Sequence, residues 1–579
     1  MEAVTRNRTR AIVCDHRLPV LALALLVCAC GPDAGGGLAL KIFQPSPGVG
    51  GGLRAEVPPA GEAPADITAY RICISADDMP RAICRDFDRE LHPHGARVDG
   101  LPIGQERRVS FQGYDEAAGY AVRWCGRVSG VPIAEGRPTP VSMYISACGG
   151  FTPVREPMAY PRVMHTATVL PDGRVLIAGG FHGLGVPSSC GVGTCLPLTA
   201  TAALEIYDPA TGAFAPVPDL ALQQARGMHT ASLLADGRVL VAGGARHALL
   251  RAWNDDVPAP LLEVDAVLEQ SGDSRAGRTA ELVDLAAGTV EEIPLGPESA
   301  RALHGAIRLW NGDVVLMGGI RPADNQPLDT MERFAVKTEG FEALSATLRV
   351  PRQGLAVLPF ESGTLLWGGN RPDGSLPGVF AEIVEQSGTG AVALKVPLFV
   401  GESADLGAPS LYSAGALLAD GRAIVCGGMI TSAFFEPGLT AARALDDAWL
   451  LDLRPGSERL EPAGMDRPRA LHTTSPLVRP DGSAELLVAG GLSERVESIS
   501  GGYDIALRPE FFTLDGGFDA RQVDGEYLTL CERRAGHTAS VLQDGTLLLA
   551  GGFSLQSGCF VLNVSAELYN PAPRILQPQ

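Results

Sequence analysis

One pattern of apolar and polar positions returns seven times along the chain. The copies are RVMHTATVLPDGRVLIAGG (162–180), RGMHTASLLADGRVLVAGG (226–244), RALHGAIRLWNGDVVLMGG (301–319), RQGLAVLPFESGTLLWGG (352–369), SLYSAGALLADGRAIVCGG (410–428), RALHTTSPLVRPDGSAELLVAGG (469–491) and RAGHTASVLQDGTLLLAGG (534–552). Each opens on an apolar, β-branched run and closes on a second apolar run ending in Gly-Gly, which predicts two strands. Between them, in six of the seven, stands a pair that tolerates the positive φ of a tight hairpin: Asp172–Gly173, Asp236–Gly237, Asn311–Gly312, Asp420–Gly421, Asp481–Gly482 or Asp544–Gly545. The paired glycines predict close approach of a neighbouring backbone. A third strand follows each copy: LEIYDP (204–209), AELVDL (280–285), ERFAV (332–336), AEIVE (381–385), AWLLDL (448–453), EFFTL (510–514) and AELYNP (566–571). A weaker fourth follows most of these, as in FAPVPDL (214–220) and RLEPAG (459–464).

Four antiparallel strands at this period do not stack as a helical solenoid; they suit blades around an axis. The hydrophobic strand, the double glycine and the downstream Tyr207 and Tyr569 resemble the kelch repeat and the propeller domain of galactose oxidase, over about 150–579. The resemblance lacks the usual fourth-strand Trp, for which Phe214 stands nearest, and has the third-strand Tyr in two copies. The last copy stops after its third strand, while FTPVREPM (151–158) resembles FAPVPDL and is expected to supply the missing fourth. That pairing of chain ends removes open sheet edges. The expected fold is all-β: a seven-bladed kelch-like β-propeller at 150–579, preceded by a small Ig-like or fibronectin-III-like sandwich at 51–149, where short alternating strands such as AYRICIS and YAVRWCG recur.

The N-terminus reads as an address. Arg6, Arg8, Arg10 and Arg17 precede an apolar run, Leu18 to Ala29, too short to span a bilayer. Val27-Cys28-Ala29-Cys30-Gly31 resembles a bacterial lipobox, which implies a signal peptide at 1–29, lipidation of Cys30, and retention in the cell envelope. Gly31 in place of Asp favours the outer membrane or cell surface. Residues 30–50 read as a Gly/Pro-rich tether. Export permits disulfides. Proximity favours Cys73–Cys84 and Cys125–Cys148; Cys190 with Cys195 and Cys531 with Cys559 are the further candidates, and Cys426, inside an apolar strand, is expected to be a buried free thiol. The chain of 579 residues carries net charge -19, with 66 acidic side chains against 47 basic, which argues against nucleic acid as a partner. A monomer is expected.

Arg-x-x-His recurs at Arg162/His165, Arg226/His229, Arg301/His304, Arg469/His472 and Arg534/His537. Histidines at equivalent blade positions are expected to satisfy backbone or neighbouring-blade hydrogen bonds, and neither a metal nor another cofactor is assigned to them. Strand parity puts the 1–2 and 3–4 turns on one face, Y, and the 2–3 and 4–1 connections on the other, X. The 2–3 loops vary widely (181–200, 245–277, 429–445 and 492–508), and variable loops on a rigid scaffold are where ligands bind. His182, Arg246, His247, Arg251, Trp253, Asp255, Asp256, Arg321 and Arg371 are the candidate ligand contacts. Galactose-oxidase-like enzymes hold copper with tyrosines and histidines and carry a Tyr–Cys crosslink; no such ligand set emerges, nor does a nucleophile-elbow, zinc-protease, phosphate-loop or EF-hand motif. The expectation is a non-catalytic module binding protein or carbohydrate, with a galactose-oxidase-like or other carbohydrate-active enzyme on the same scaffold as the alternative.

Overall fold

The computed structural model describes residues 52–571 apart from internal stretches, of which the longer are 55–66, 116–120, 253–260, 370–380, 387–391, 396–409, 432–441 and 495–502. The signal and tether segments, Cys30 included, lie outside the described residues.

The N-terminal part is two sheets on one core. Ile83–Asp88, Ala69–Ser75, Gly104–Asp115, Ala121–Ile133 and Ser146–Ala147 lie side by side in that order, and Arg97–Asp99, Gly52–Arg54 and Pro138–Pro140 form a smaller sheet. Alternate residues of both meet inside, among them Ile72, Ile74, Val98, Val109, Phe111 and Val131, as strand periodicity requires, and Met143 and Ile145 join them from the segment between Pro138–Pro140 and Ser146–Ala147. Two disulfides close this part. Cys73–Cys84 joins directly opposed residues of adjacent strands, and Cys125–Cys148 joins the Ala121–Ile133 strand to the segment leading into the repeats.

Beyond it, among the described residues, stand seven four-stranded antiparallel units. Their first two strands are the repeat hairpins: Thr166–Val169 with Val175–Ala178, Thr230–Leu233 with Val239–Ala242, Gly305–Arg308 with Val314–Met317, Ala356–Phe360 with Gly363–Trp367, Ala414–Leu417 with Arg422–Cys426, Thr473–Val478 with Ala484–Ala489, and Thr538–Val541 with Leu547–Ala550. The turn glycines take positive φ, Gly173 at 86° and Gly237 at 90°. Second strands such as VLIA and VLVA are buried along their whole length, because each sheet is covered on both faces by its neighbours. Neighbouring first strands lie against one another, and Thr538–Val541 returns to touch Thr166–Val169, so the units close into a ring.

The double glycines make that ring possible. The second glycine of every unit donates its N–H to the carbonyl of the residue that opens the next: Gly180 to Arg226, Gly244 to Arg301, Gly319 to Arg352, Gly369 to Ser410, Gly428 to Arg469, Gly491 to Arg534, and Gly552 back to Arg162, all at 2.7–3.0 Å. A Cβ on Gly179 or Gly490 would collide with that same carbonyl oxygen. The fourth strand of the last unit is Gly150–Pro153, antiparallel to Ala566–Asn570. Third- and fourth-strand aromatics face each other in register: Tyr207 on Phe214, Phe334 on Phe341, Phe512 on Phe518 and Tyr569 on Phe151, with centroids 4.8–5.2 Å apart. Phenylalanine thus takes the tyrosine position in two further units, and each pair packs across the third and fourth strands.

The two parts are joined at this closure. Cys148 bridges to Asn570, whose buried Nδ2 donates to the Cys125 carbonyl at 3.3 Å and to Ser146 Oγ at 2.9 Å. Arg127 donates to the Asp544 carbonyl at 3.3 Å. Replacing Cys148 by Ala is expected to lower unfolding free energy by about 2–4 kcal/mol, measured by urea titration, because it frees the chain just where the first strand of the closure enters. A midpoint unchanged from wild type would show that the closure holds without the covalent link.

Candidate functional site

Six units begin with a fully buried arginine, and each has a glutamate at the same register of its third strand. Arg162 Nη1 donates to the Gly179 and Ala203 carbonyls at 2.7 and 3.0 Å, and its Nη2 meets Glu205 at 2.6 Å. Arg226–Glu281, Arg352–Glu382, Arg469–Glu510 and Arg534–Glu567 repeat the pair at 2.6–2.8 Å. Each glutamate's other oxygen accepts an N–H from the connection entering the ring: Ala159 for Glu205, Arg349 for Glu382, Asp466 for Glu510 and Cys531 for Glu567. The third unit deviates: Arg301 binds the Gly318 and Thr330 carbonyls, while Glu332 accepts from Gly296. The fifth unit lacks both partners, with Ser410 at the arginine position and Trp449 opposite Val425 at the glutamate position. Burying a charged pair is tolerated when hydrogen bonds satisfy the remaining polar atoms; this clamp satisfies most of them, leaving Arg162 Nε and Glu332 Oε2 without a partner, while pinning the incoming loops.

The histidines stand one tier inward. His165 Nε2 lies 3.0 Å from Thr538 Oγ1, His229 2.9 Å from Thr166, His304 2.9 Å from Thr230 and His537 3.0 Å from Thr473, each on the preceding unit. The unit before His472 has no such threonine, and its Nε2 meets Cys426 Sγ at 3.5 Å. Cys426 is a buried free thiol whose pKa burial pushes up. Burial, and then the neighbouring arginines, hold all five imidazoles below their ordinary range, His229 and His472 down to about 3. Preceding each first strand is a residue with left-handed backbone: Met164, Met228, Leu303, Gly354, Tyr412, Leu471 and Gly536, all at φ 52–63°. Their amides are chained around the axis, Met228 to Met164, Leu303 to Met228, Gly354 to Leu303, Tyr412 to Gly354 and Gly536 to Leu471 at 2.9–3.0 Å. These seven and the seven that follow them line an open axial cavity of about 280 Å³.

Face X is built rather than loose. The 2–3 loops of the first two units pair with each other into one sheet, Phe181–Leu184, Thr194–Ala200, His247–Ala252 and Leu261–Val264. The third unit's hairpin, Ile320–Arg321 with Gln326–Pro327, is tied to it by Asn325 Nδ2 on the Val264 carbonyl at 3.1 Å. This brings together four of the predicted contacts. His182 sits edge-on to Tyr160 at 6.5 Å, and burial followed by the Arg162 charge lowers its pKa. The backbone N–H groups of Arg246 and His247 both donate to Glu269 Oε1 at 2.8 Å, from the short helix Ala266–Ser271. Arg251 is in the His247–Ala252 strand opposite Cys195, and Arg321 stands apart on its hairpin, paired with Asp324 at 2.9 Å. Trp253, Asp255, Asp256 and Arg371 lie outside the described residues, as does Cys190. Cys195 and Cys531 are each disulfide-bonded.

A copper site of tyrosine and histidine does not fit the axis. The Nε2 atoms of its histidines are spent on threonines and Cys426, one tyrosine, Tyr412, reaches the cavity, and no group of three His, Cys, Asp or Glu among the described residues is placed to hold a metal ion.

No family model and no curated protein matches the chain. Among solved structures it is similar to a fungal alcohol oxidase of the AA5 family in complex with copper, at 16% identity and TM-score 0.47, over 73% of this chain and 76% of that one. It is also similar to YjhT, at 12% identity and TM-score 0.39, over 70% of this chain and 99% of that one. The ring of four-stranded antiparallel sheets has the architecture of a β-propeller.

Proposed function

We propose that this chain is an exported, lipid-anchored protein in which a seven-bladed kelch-like propeller (150–579), carried on an Ig-like sandwich (51–149), acts as a non-catalytic binding module for a protein or carbohydrate of the cell envelope. The observation that carries the reading is the sheet on face X, which two repeats build jointly from the segments in which they differ most. The polar groups that the repeats share serve the ring itself, Arg with Glu and His with Thr. The elaborated surface is therefore X, and His182, Arg246, His247 and Arg251 are its first contacts, with Trp253, Asp255 and Asp256 on the adjoining segment. Lipidation at Cys30, after removal of 1–29, holds the module at the outer membrane or cell surface through buried acyl CH₂ groups.

The test is a pull-down and glycan-array screen with residues 31–579, alongside a variant lacking 253–260. Leu250 and Leu262 are paired neighbours, so removal of that segment leaves Arg251, Ala252 and Leu261 as a three-residue turn between the strands. Specific capture that the deletion weakens at least tenfold supports recognition on X; capture indifferent to the deletion places it elsewhere. Stoichiometric copper with a radical absorption band in the purified protein would replace the binder with an oxidase on the same scaffold.

A further inference from the structure

The two 2–3 connections that flank the ring closure, 181–202 and 553–565, contain no Asp, Glu, Lys or Arg, although these four make up 20% of the chain. The 2–3 connections of the other five units all carry charge. Both uncharged connections lie on face X and share one core: Phe181 and Phe553 are buried beneath them in the same apolar cluster. Against that cluster pack Leu184 and Leu196 from the first unit and Leu555, Phe560 and Leu562 from the seventh, all left half-buried. Val186, just past Leu184, is 84% exposed. The segment 154–162 runs between the two connections, held by the Met158 N–H on the Val564 carbonyl at 3.1 Å and the Arg162 N–H on the Asn563 carbonyl at 3.3 Å. On it Tyr160 stands 42% exposed, with His182 edge-on to it. An uncovered apolar patch on a polar face marks an interaction site, and depletion of charged residues, more than bulk hydrophobicity, marks the centre of a protein–protein interface.

We propose that this patch is the centre of a docking surface for a protein whose contact face is apolar in the middle and basic at the margin; the proposal rests on recognition at face X and narrows its partner to a protein. The margin follows from charge. On the second unit's side, 245–278 carries six Asp or Glu against four Arg, and on the sixth unit's side 492–509 carries three against two, in a chain of net charge -19. The strand Tyr503–Ile505, which holds Asp504, touches Phe553–Gln556, and pairing of Thr194–Ala200 with His247–Ala252 joins the first unit's connection to the second's, so both acidic connections adjoin the patch. Opposite charge around an apolar centre sets the orientation of a partner and its rate of encounter. A sugar would find no carboxylate, amide or guanidinium among the six apolar side chains. A lipid surface is disfavoured by the same charges: neither uncharged connection has a Lys or Arg to meet phosphates, and the acidic margin is repelled by anionic headgroups.

A random dodecapeptide library displayed on phage is the probe, selected against the purified full chain and then measured as synthetic peptides. The selected peptides are expected to hold an apolar run flanked by Lys or Arg. Val186→Lys places a like charge in the patch at a side chain exposed enough to leave folding intact, and is expected to weaken these peptides at least tenfold; Val186→Ser, which removes apolar area alone, is expected to weaken them several-fold. Val478→Lys, at a position 70% exposed on face Y, is expected to change nothing. Peptides without an apolar run or with an acidic margin, peptides held equally by Val186→Lys, or a selection that yields no binder would each overturn the proposal. So would vesicles of phosphatidylcholine or phosphatidylglycerol that bind the chain through Val186, or a dimer of the chain that Val186→Lys dissolves. A ligand lost on removal of 253–260 but kept by Val186→Lys leaves recognition on face X standing and overturns this patch alone.

Discussion

Removing the Glu567 carboxylate from beneath Arg534 is expected to destabilise the protein by about 3–5 kcal/mol, the cost of leaving one member of a buried pair without its partner. Arg534 and Glu567 are both fully buried and 2.8 Å apart. In Glu567→Ala the guanidinium keeps the Gly551 and Ser565 carbonyls but loses its counter-charge, and the Cys531 N–H loses its acceptor. The loss falls on the unit that closes the ring, where the third strand pairs with Gly150–Pro153. The double variant Arg534→Met with Glu567→Leu is expected to recover much of the stability, since no charge then stays buried. Urea unfolding of wild type, single and double variants checks this. A single variant within about 1 kcal/mol of wild type would mean that the clamp is not what holds the loop.

Acid is expected to act almost as strongly. The five axial imidazoles have folded pKa values lowered by burial and by adjacent arginines. Below the ordinary value of 6.5 the unfolded chain binds protons that the folded chain refuses, so stability falls as pH falls, from 6.5 toward the folded value of about 3 shown by His229 and His472. Each histidine costs about 1 kcal/mol between pH 6.5 and 5.5, and five together about 5 kcal/mol. Asp544 and Glu567, whose carboxyls burial pushes up, work in the opposite sense as pH falls through their own range. The histidine share is isolated by His304→Gln, which is expected to flatten the stability slope between pH 6.5 and 5.5 by about one fifth of the five-histidine total, or about 1 kcal/mol. An unchanged slope in unfolding midpoints would show that the imidazoles do protonate in the folded ring.

Much of this was readable in the chain because the repeats are local. A hairpin is dictated by residues within twenty positions of one another, so the alternating apolar runs, the Asp–Gly turns and the Gly-Gly ends were visible directly. The closure by FTPVREPM showed as a lone copy of a fourth strand. The glutamates facing the arginines escaped notice, although a signal existed: where Arg is replaced, by Ser410, the third strand also loses its Glu, to Trp449. The sheet on face X had no such signal. It joins 194–200 to 247–252, segments of different repeats that resemble neither each other nor the repeat, and only their adjacency in the ring brings their edges into hydrogen-bonding range.

The order of apolar and turn residues by itself determined the strands, their number in each hairpin and the need for glycine where backbones meet, because these depend on local sterics and period-two burial. The tertiary structure alone decided what the shared polar residues do. It set Arg against Glu within a sheet and His against Thr across sheets, and it lined an axial chamber with seven residues of left-handed backbone. The Arg–Glu distances arise only when a third strand pairs with its own hairpin, and the His–Thr distances only when adjacent sheets pack side by side.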